Sequence, residues 1–198
     1  MNTMSIEKRK YELKSRAAAQ QQTRERIVAA TMELHKEVGP ALTTVAEVAR
    51  RAGVQRLTVY NHFPDEAELF GACQAHWMQL HPLPDLAAAM AADDPAERVR
   101  ATLRGYYHWY SETEPMAQNI QKNHDAVPAL DSLMQRTANA RLDQLADTLA
   151  AGLGVSEERR ALVRLALDFW TWRRLSHEGL ADDAAADLMT AVAARALG

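Results

Sequence analysis

The sequence contains a single cysteine, Cys73, and no run approaching 18 consecutive apolar residues. One cysteine cannot form a disulfide within the chain, which argues against a disulfide-stabilised secreted fold. Without a long apolar run the sequence predicts no transmembrane helix, and the charged opening segment MNTMSIEKRKYELK lacks the apolar stretch of a secretory signal. We therefore expect a soluble protein of the cytoplasm.

Motifs of catalysis and metal binding are also missing. The seven histidines include no H-x-x-x-H or E-x-x-H pair, so the ligand sets of di-iron bundles and metallohydrolases are not present in the sequence. There is no G-x-S-x-G nucleophile motif, no P-loop and no glycine fingerprint for dinucleotides. The sequence therefore predicts no enzyme activity, no bound cofactor and no metal site.

Runs of β-branched residues are absent, and Ala, Leu, Arg, Glu and Gln dominate the periodic segments. This composition favours helices and predicts an all-α fold. We divide the chain into a basic N-terminal arm (1–22), a front domain (23–80) and a larger helical domain (81–198), with the boundary at the proline-bearing HPLPDL. Helical patterns lie near 23–37 and, in the larger domain, near 84–91, 95–111, 115–123, 127–151, 156–177 and 181–196, with SETEP among the breaks.

Charge is distributed unevenly along the chain. Residues 1–63 contain eleven Lys and Arg against six Asp and Glu, whereas residues 64–198 contain twelve against twenty. The basic front suits a polyanionic partner, although two solvated faces of one helical protein would explain the same asymmetry. The arm could contact phosphates or form a solubilising tail; its basic residues include Lys8, Arg9, Lys10, Lys14 and Arg16.

The front domain carries the start and stop signals of a helix-turn-helix. In TTVAEVARRAG, Thr44 and Glu47 form a capping box, and Gly53 suits the left-handed residue that ends a helix. A second short helix is predicted over 55–61, and Asp65 caps the helix that follows. Two short helices joined by a glycine turn, with helices on both sides, predict a helix-turn-helix.

The second short helix has the side chains that a recognition helix needs in the DNA major groove. Its first turn can read base edges, because Gln pairs with adenine and Arg with guanine, while Tyr, His and Thr can contact phosphates. Val59 and Phe63 face the other way and anchor the helix in its own domain. The predicted DNA-binding residues are Thr44, Gln55, Arg56, Leu57, Thr58, Tyr60, Asn61 and His62.

Three of these residues have alternative interpretations. Tyr60 could be a half-buried core aromatic, and His62 could cap the end of its helix. Leu57 could contact a thymine methyl group or pack on the first helix. The joint alternation of polar groups and core anchors within one helix favours DNA contact.

Residues 23–72 resemble the DNA-binding region of TetR-family transcriptional regulators. The resemblance lies in an Ile/Ala/Leu first helix ending in glycine, then TTVAEVARRAGV, TVYNHF and a capped helix containing Leu69-Phe70. It implies an all-α homodimer, usually a repressor, with an N-terminal helix-turn-helix domain and a larger ligand-binding and dimerisation domain. It also implies that a palindromic DNA operator is released when a small-molecule effector binds the larger domain.

Two features depart from the family pattern. Glu66 stands where the family often has a phosphate-contacting lysine, and a carboxylate there would repel the DNA backbone. Gln55 and Leu57 stand where the family more often has Ser and Gly or Ala. The alternative function is an all-α ligand-binding or interaction protein that does not bind DNA, which Glu66 and the acidic total charge favour slightly.

The resemblance places an effector pocket between the helices of the larger domain. The aromatic segment GYYHWY could line it, which suits an apolar or aromatic effector, although the same aromatics could instead be plain core. The predicted pocket residues are Trp77, Tyr106, Trp109, Tyr110, Met116 and Trp170.

In the regulators that the chain resembles, the last two helices pair with their partner copies across a homodimer interface. A dimer is also physically reasonable, because one short recognition helix reads too few base pairs for specific binding. The predicted interface residues are Trp172, Leu175, Leu188 and Val192.

Overall fold

The computed structural model describes residues 3–154 and 156–195, and all regular elements in these ranges are helical. This confirms the all-α fold class. No helix in these ranges combines the length and the hydrophobicity that crossing a bilayer requires. The α-helices are α1 (Thr3–Glu37), α2 (Val45–Ala52), α3 (Arg56–His62), α4 (Glu66–Leu80), α5 (Ala87–Met90), α6 (Pro95–Asn123), α7 (Pro128–Met134), α8 (Ala140–Leu153), α9 (Glu157–Ala166), α10 (Phe169–His177) and α11 (Asp182–Arg195).

Helix α1 is longer than the sequence pattern predicts. It begins at Thr3, whereas the predicted start is residue 23, so residues 3–22 are its first half and not a separate arm. The segment contains neither glycine nor proline and is rich in strong helix formers, so nothing in it stops the helix. Lys14 and Arg16 are exposed on this extension. The side chains of the other basic residues predicted there, Lys8, Arg9 and Lys10, lie outside the described residues.

Local capping defines the helix-turn-helix formed by α2 and α3. The Thr44 hydroxyl accepts a hydrogen bond from the Glu47 backbone N–H at 3.2 Å, and Gly53 ends α2 in the left-handed conformation with φ of 64°. The Asp65 carboxylate accepts the Glu68 N–H at 2.8 Å and starts α4. The capping box is only half formed, because the Glu47 carboxylate binds the Arg50 guanidinium.

Two buried clusters of side chains share one long helix, α6. In the front cluster, Ile27 of α1, Val48 of α2 and Val59 of α3 pack together with Met116 of α6. The N-terminal half of α6 belongs to the core of the larger domain, where Tyr107 is fully buried against α8–α11. The predicted boundary at residue 80 therefore separates segments of sequence that α6 joins again in space.

The break that the sequence predicts at SETEP is wrong, because α6 continues through Pro115. Proline within a helix costs about 3 kcal/mol, since it removes one backbone hydrogen bond and crowds the preceding turn. Tyr110, Thr113 and Met116 are buried on the flanking turns. Burial on both sides of Pro115 offsets the local cost and keeps the helix continuous.

The helices after α6 are more segmented than their apolar patterns predict. The pattern over 127–151 is divided into α7 and α8 by a π-helical turn at Gln135–Asn139. The pattern over 156–177 is divided into α9 and α10, where the Asp168 carboxylate accepts the Trp170 N–H at 2.8 Å and starts α10. α8, α10 and α11 each contact α6, and short helices on both sides of the π-helical turn line a cavity.

Candidate nucleic-acid interface and internal cavity

The outer face of α3 carries the side chains predicted to bind DNA. Leu57 is 65% exposed and Tyr60 is 52% exposed. Thr58 and His62 are partly buried at the flank of the helix, while the remaining predicted residues, Thr44, Gln55, Arg56 and Asn61, are exposed. All eight therefore lie on α3 or at the start of α2. Tyr60 is not a core aromatic, and Leu57 is not covered by the first helix.

The inner face of α3 is held by apolar packing. Val59 and Phe63 are almost fully buried in the front cluster. The Arg24 guanidinium of α1 lies over the Phe63 ring, with 4.5 Å to its centroid. Because one face of α3 is anchored against α1 and α2, its opposite face is presented as a rigid surface.

The arginines of the helix-turn-helix differ in their partners. Arg50 is paired with Glu47 at 2.5 Å, and Arg51 with Glu37 at 2.7 Å. Hydrogen bonds from these guanidinium groups lower the pKa of each carboxyl, so both pairs are ionised at neutral pH. Arg56 has no hydrogen-bond or ion-pair partner among the described residues. Its charge is available to an external ligand.

The extension of α1 lies beside the recognition helix. A surface cleft separates them, lined on one side by Ala17, Gln20, Gln21 and Arg24 and on the other by Thr58, Asn61 and His62. The first half of α1 is thus a neighbour of the candidate DNA-binding surface. A basic helical extension at this position adds positive charge close to α3.

The larger domain and the front domain together enclose a cavity of about 460 Å³. This volume falls within the range of small-molecule sites. Most of its walls come from α4, α6, α7 and α8, and α1 contributes Met32 and His35. Of the predicted pocket residues, Trp77, Tyr106, Trp109, Tyr110 and Met116 line it. The cavity therefore reaches from the core of the larger domain to α1 of the front domain.

The prediction that Trp170 lines this cavity is wrong. Its side chain is 37% exposed, and its ring meets Phe169 edge-on and lies near the Arg173 guanidinium. Phe169, its neighbour in sequence, is the residue of α10 that lines the cavity. Adjacent helical residues point about 100° apart, so only one of the two can face the inside.

Few polar groups interrupt the apolar walls. The Tyr110 hydroxyl donates to the Leu167 carbonyl at 2.8 Å, and burial raises the pKa of this phenol. Burial raises the pKa of Cys73 to about 12, so its thiol stays protonated and unreactive. Burial also lowers the pKa of His35 to about 4, which keeps that imidazole neutral near pH 7. His35 and Cys73 therefore contribute no charge to the cavity at neutral pH.

Sequence reasoning missed several residues of the cavity. His35 and Phe70 belong to segments assigned to the helix-turn-helix, and Thr137 and Arg141 have no local signal of a binding site. The spacing of Thr137 and Arg141, four residues apart, shows that they share a helix face. Only the packing of α8 against α6 shows which face that is.

The predicted dimer-interface residues divide into buried and exposed groups. The prediction for Trp172 is wrong, because its ring is buried in the core of its own domain and its indole N–H donates to Asp182 at 2.8 Å. Leu175 packs partly against the same core. Leu188 and Val192 are 44% and 40% exposed, one turn apart on the outer face of α11.

One group of side chains could hold a metal ion. His124, Asp125 and Asp131 offer ligand atoms that lie within 4.8 Å of one another. The imidazole Nδ1 of His124 is also 3.1 Å from a carboxylate oxygen of Asp131, so a hydrogen bond explains the same arrangement. The group lies outside the cavity and far in sequence from α3.

The structure joins a helix-turn-helix with an exposed second helix to a helical domain with an internal cavity. The profile for bacterial regulatory proteins of the tetR family matches residues 27–73, which include α2 and α3. The HTH-type transcriptional regulator SrpR of Pseudomonas putida is 38% identical over 73 residues. This match covers 35% of the present chain and 34% of SrpR, so the chain spans about a third of the length of that relative.

Solved structures share the fold over most of the chain. A TetR-like transcriptional regulator from Rhodococcus sp. RHA1 aligns with a TM-score of 0.62 and 22% identity, covering 87% of this chain and 94% of its own. RolR, solved in complex with resorcinol, aligns with a TM-score of 0.50 and 22% identity, covering 92% of this chain and 90% of its own. Residues 27–73 thus match the tetR family of bacterial regulatory proteins, and the described residues share the fold of these solved structures.

Proposed function

We propose that this chain is a homodimeric, DNA-binding repressor that acts in the cytoplasm, where bacterial DNA lies. It binds a palindromic operator through α3 and releases that operator when a small molecule occupies the internal cavity. Support comes from the tetR-family match of residues 27–73 and from three features of the described residues: the free charge of Arg56, the cavity that reaches α1, and the exposed Leu188 and Val192 of α11.

The observation that carries DNA binding is the contrast between Arg56 and its neighbours. Arg50 and Arg51 are each neutralised by a glutamate, whereas Arg56 stands unpaired at the start of an exposed helix. A guanidinium in the first turn of a recognition helix can bind guanine bidentately in the major groove. Tyr60, one turn later on the same face, can donate its hydroxyl to a phosphate.

A response to ligand binding is supported by α6, because this helix contributes side chains to both buried clusters. Tyr106 and Tyr110 of this helix line the cavity, and the Asn119 side-chain amide donates to the backbone carbonyls of His35 and Lys36 at the end of α1. A ligand that displaces α6 would therefore act directly on the helix that supports α3. RolR, which shares the fold, binds the aromatic molecule resorcinol.

Selection from a randomised duplex DNA pool at about 0.15 M salt tests DNA binding. The wild type should enrich a palindrome. Arg56→Ala should lose about 1–3 kcal/mol and relax the choice at one base pair of each half-site. Tyr60→Ala should weaken all sequences alike. Arg50→Ala is the matched control, because it removes an arginine of the same domain that is already paired with Glu47.

Each result decides between functions. Equal, sequence-independent losses for Arg56→Ala and Tyr60→Ala would contradict base reading by Arg56. No enrichment by folded, dimeric wild type, with or without a cavity ligand, would favour an all-α ligand-binding protein that does not bind DNA. Glu66, exposed in the first turn of α4, is the feature that favours this second function. Glu66→Lys should then restore no binding, whereas in a DNA-binding protein it should tighten binding to all sequences.

A further inference from the structure

Arg141 is the one charged side chain at neutral pH among the described residues that line the cavity. The lining includes no aspartate, glutamate or lysine, and His35 is neutral there. An arginine beside apolar walls keeps its charge, because a guanidinium is not deprotonated in proteins. The cavity therefore has a fixed positive charge that no lining residue neutralises.

The bonding of Arg141 differs from that of most arginines in the larger domain. Its Nε donates to the Tyr106 hydroxyl at 3.1 Å, and no carboxylate pairs with it among the described residues. By contrast, six other arginines of this domain form ion pairs with Asp or Glu: Arg100, Arg104, Arg160, Arg164, Arg173 and Arg174. The terminal nitrogens of Arg141 thus remain available to an external anion.

Arg141 lies between the cavity and the protein surface. Its side chain is exposed and also lines the cavity, whereas its partner Tyr106 is almost fully buried. Thr137, one turn earlier on the same face, lines the cavity and accepts a hydrogen bond from Gln74 at 2.9 Å. Thr137 and Arg141 therefore place two polar side chains beside the apolar walls of the cavity.

The inner walls suit a flat ring system. The indoles of Trp77 and Trp109 and the rings of Phe70 and Tyr110 line the space together with methionine side chains. Aromatic rings favour stacked or edge-on contact with a flat apolar ligand, and methionines adapt to its outline. A molecule that entered ring first would place its trailing group beside Arg141.

We propose that the cavity binds an aromatic carboxylic acid, with its ring among the aromatic side chains and its carboxylate on the Arg141 guanidinium. A carboxylate matches the planar fork of arginine and gives shorter, stronger hydrogen bonds than a neutral group does. This inference deepens the proposed function, because it names the class of effector, but its binding test does not depend on DNA.

The test uses two probes with the same ring, 2-naphthoic acid and 2-naphthamide, at pH 7. Isothermal titration calorimetry gives both affinities, and quenching of Trp77 and Trp109 fluorescence reports occupancy of the cavity. The wild type should bind the acid at least about tenfold more tightly than the amide. Arg141→Met should abolish this preference and leave the affinity for the amide within about twofold.

The controls separate charge from folding. Arg136→Met removes an exposed arginine that precedes Arg141 by five residues and does not line the cavity, so the preference for the acid should remain. Arg141→Lys should keep part of the preference, because the charge stays while the fork is lost. Circular dichroism and thermal unfolding establish that each variant is folded.

Three results would overturn the proposal: equal affinity of the wild type for acid and amide, a preference that survives in Arg141→Met, or no binding of the acid by folded wild type at about 1 mM. A failure of effector-controlled DNA release would give a different result from these three. Binding of the acid that requires Arg141 but does not release operator DNA would leave the site intact and remove its role as the effector site.

Discussion

The imidazole of His35 stacks on the ring of Phe70, with 5.3 Å between the ring centroids and 22° between their planes. His35 belongs to the end of α1 and Phe70 to α4, so this stack joins two helices of the front domain at the wall of the cavity. The imidazole is buried, and burial alone lowers its pKa to about 4. The stack therefore holds a neutral histidine that resists protonation.

Stability should consequently fall as the pH is lowered from 7. The unfolded chain binds a proton at His35 below about pH 6.5, whereas the folded chain does so only below about pH 4. Between these values the unfolded state binds more protons, so acid favours unfolding, by about 2 kcal/mol at pH 5 from this group. Urea unfolding at pH 7 and pH 5 measures the loss.

Variants isolate the contribution of His35 from that of other groups. His35→Phe keeps an aromatic ring on Phe70 and removes the titration, so the difference between pH 7 and pH 5 should shrink by about 2 kcal/mol. Ser111→Ala is the control, because it is an exposed change on α6 that removes no titratable side chain, so the wild-type pH dependence should remain. A wild-type pH dependence in His35→Phe would assign the acid sensitivity to other groups.

Asn119 should contribute measurably to stability, because its amide satisfies two carbonyls at the end of α1. The bonds to the His35 and Lys36 oxygens are 3.1 and 2.8 Å long. Asn119→Ala should lower the free energy of unfolding by about 1–3 kcal/mol, and Asn119→Asp by more, because a carboxylate would face carbonyl oxygens. Chemical unfolding compares both with Glu112→Ala, an exposed change on the same helix. A loss in Asn119→Ala no larger than that in the control would show that water replaces the amide.

The stability cost of replacing Gly53 should depend on how well the new residue adopts a left-handed backbone conformation, and not on the size of its side chain. Its φ is 64°, yet an added Cβ would meet only a guanidinium nitrogen of Arg26, at 3.9 Å. Gly53→Val should therefore lose about 1–2 kcal/mol through the left-handed conformation, while Gly53→Asn should lose clearly less. Thermal unfolding measures both variants. Equal losses for Val and Asn would contradict this explanation.

The helix-turn-helix was predictable because its signals are local. Thr44, Gly53 and Asp65 act within one turn of their own helices, and the structure has each of them in the predicted capping role. The continuation of α6 through Pro115 was not predictable, because its cause lies in the burial of the flanking turns by other helices. Local rules predict a helix end well, but they do not predict that packing against other helices will offset the cost of a proline.

The residues that line the cavity also could not be predicted from local sequence signals alone. Spacing places Trp109 and Trp172 on apolar helix faces but does not show what those faces contact. The sequence therefore predicts Trp172 in the dimer interface, although its side chain belongs to the core of its own domain. Arg141 gave no signal, because an arginine on a helix is ordinarily solvated. Its significance comes from the absence of acidic residues among the described cavity-lining residues, which only the packing of six helices shows.

Leu188 and Val192 should be required for dimerisation if α11 forms the interface. Their side chains are 44% and 40% exposed, while Ala185 and Met189 of the same helix are buried in its own domain. Leu188→Glu combined with Val192→Glu should therefore leave the fold intact and place like charges across a twofold interface, giving a monomer by light scattering. Because each half-site then binds alone, affinity for a palindrome should fall at least about 100-fold.

Leu80→Glu, which changes an exposed leucine at the end of α4, is the control and should remain dimeric. A dimer in the double variant would move the interface to another surface.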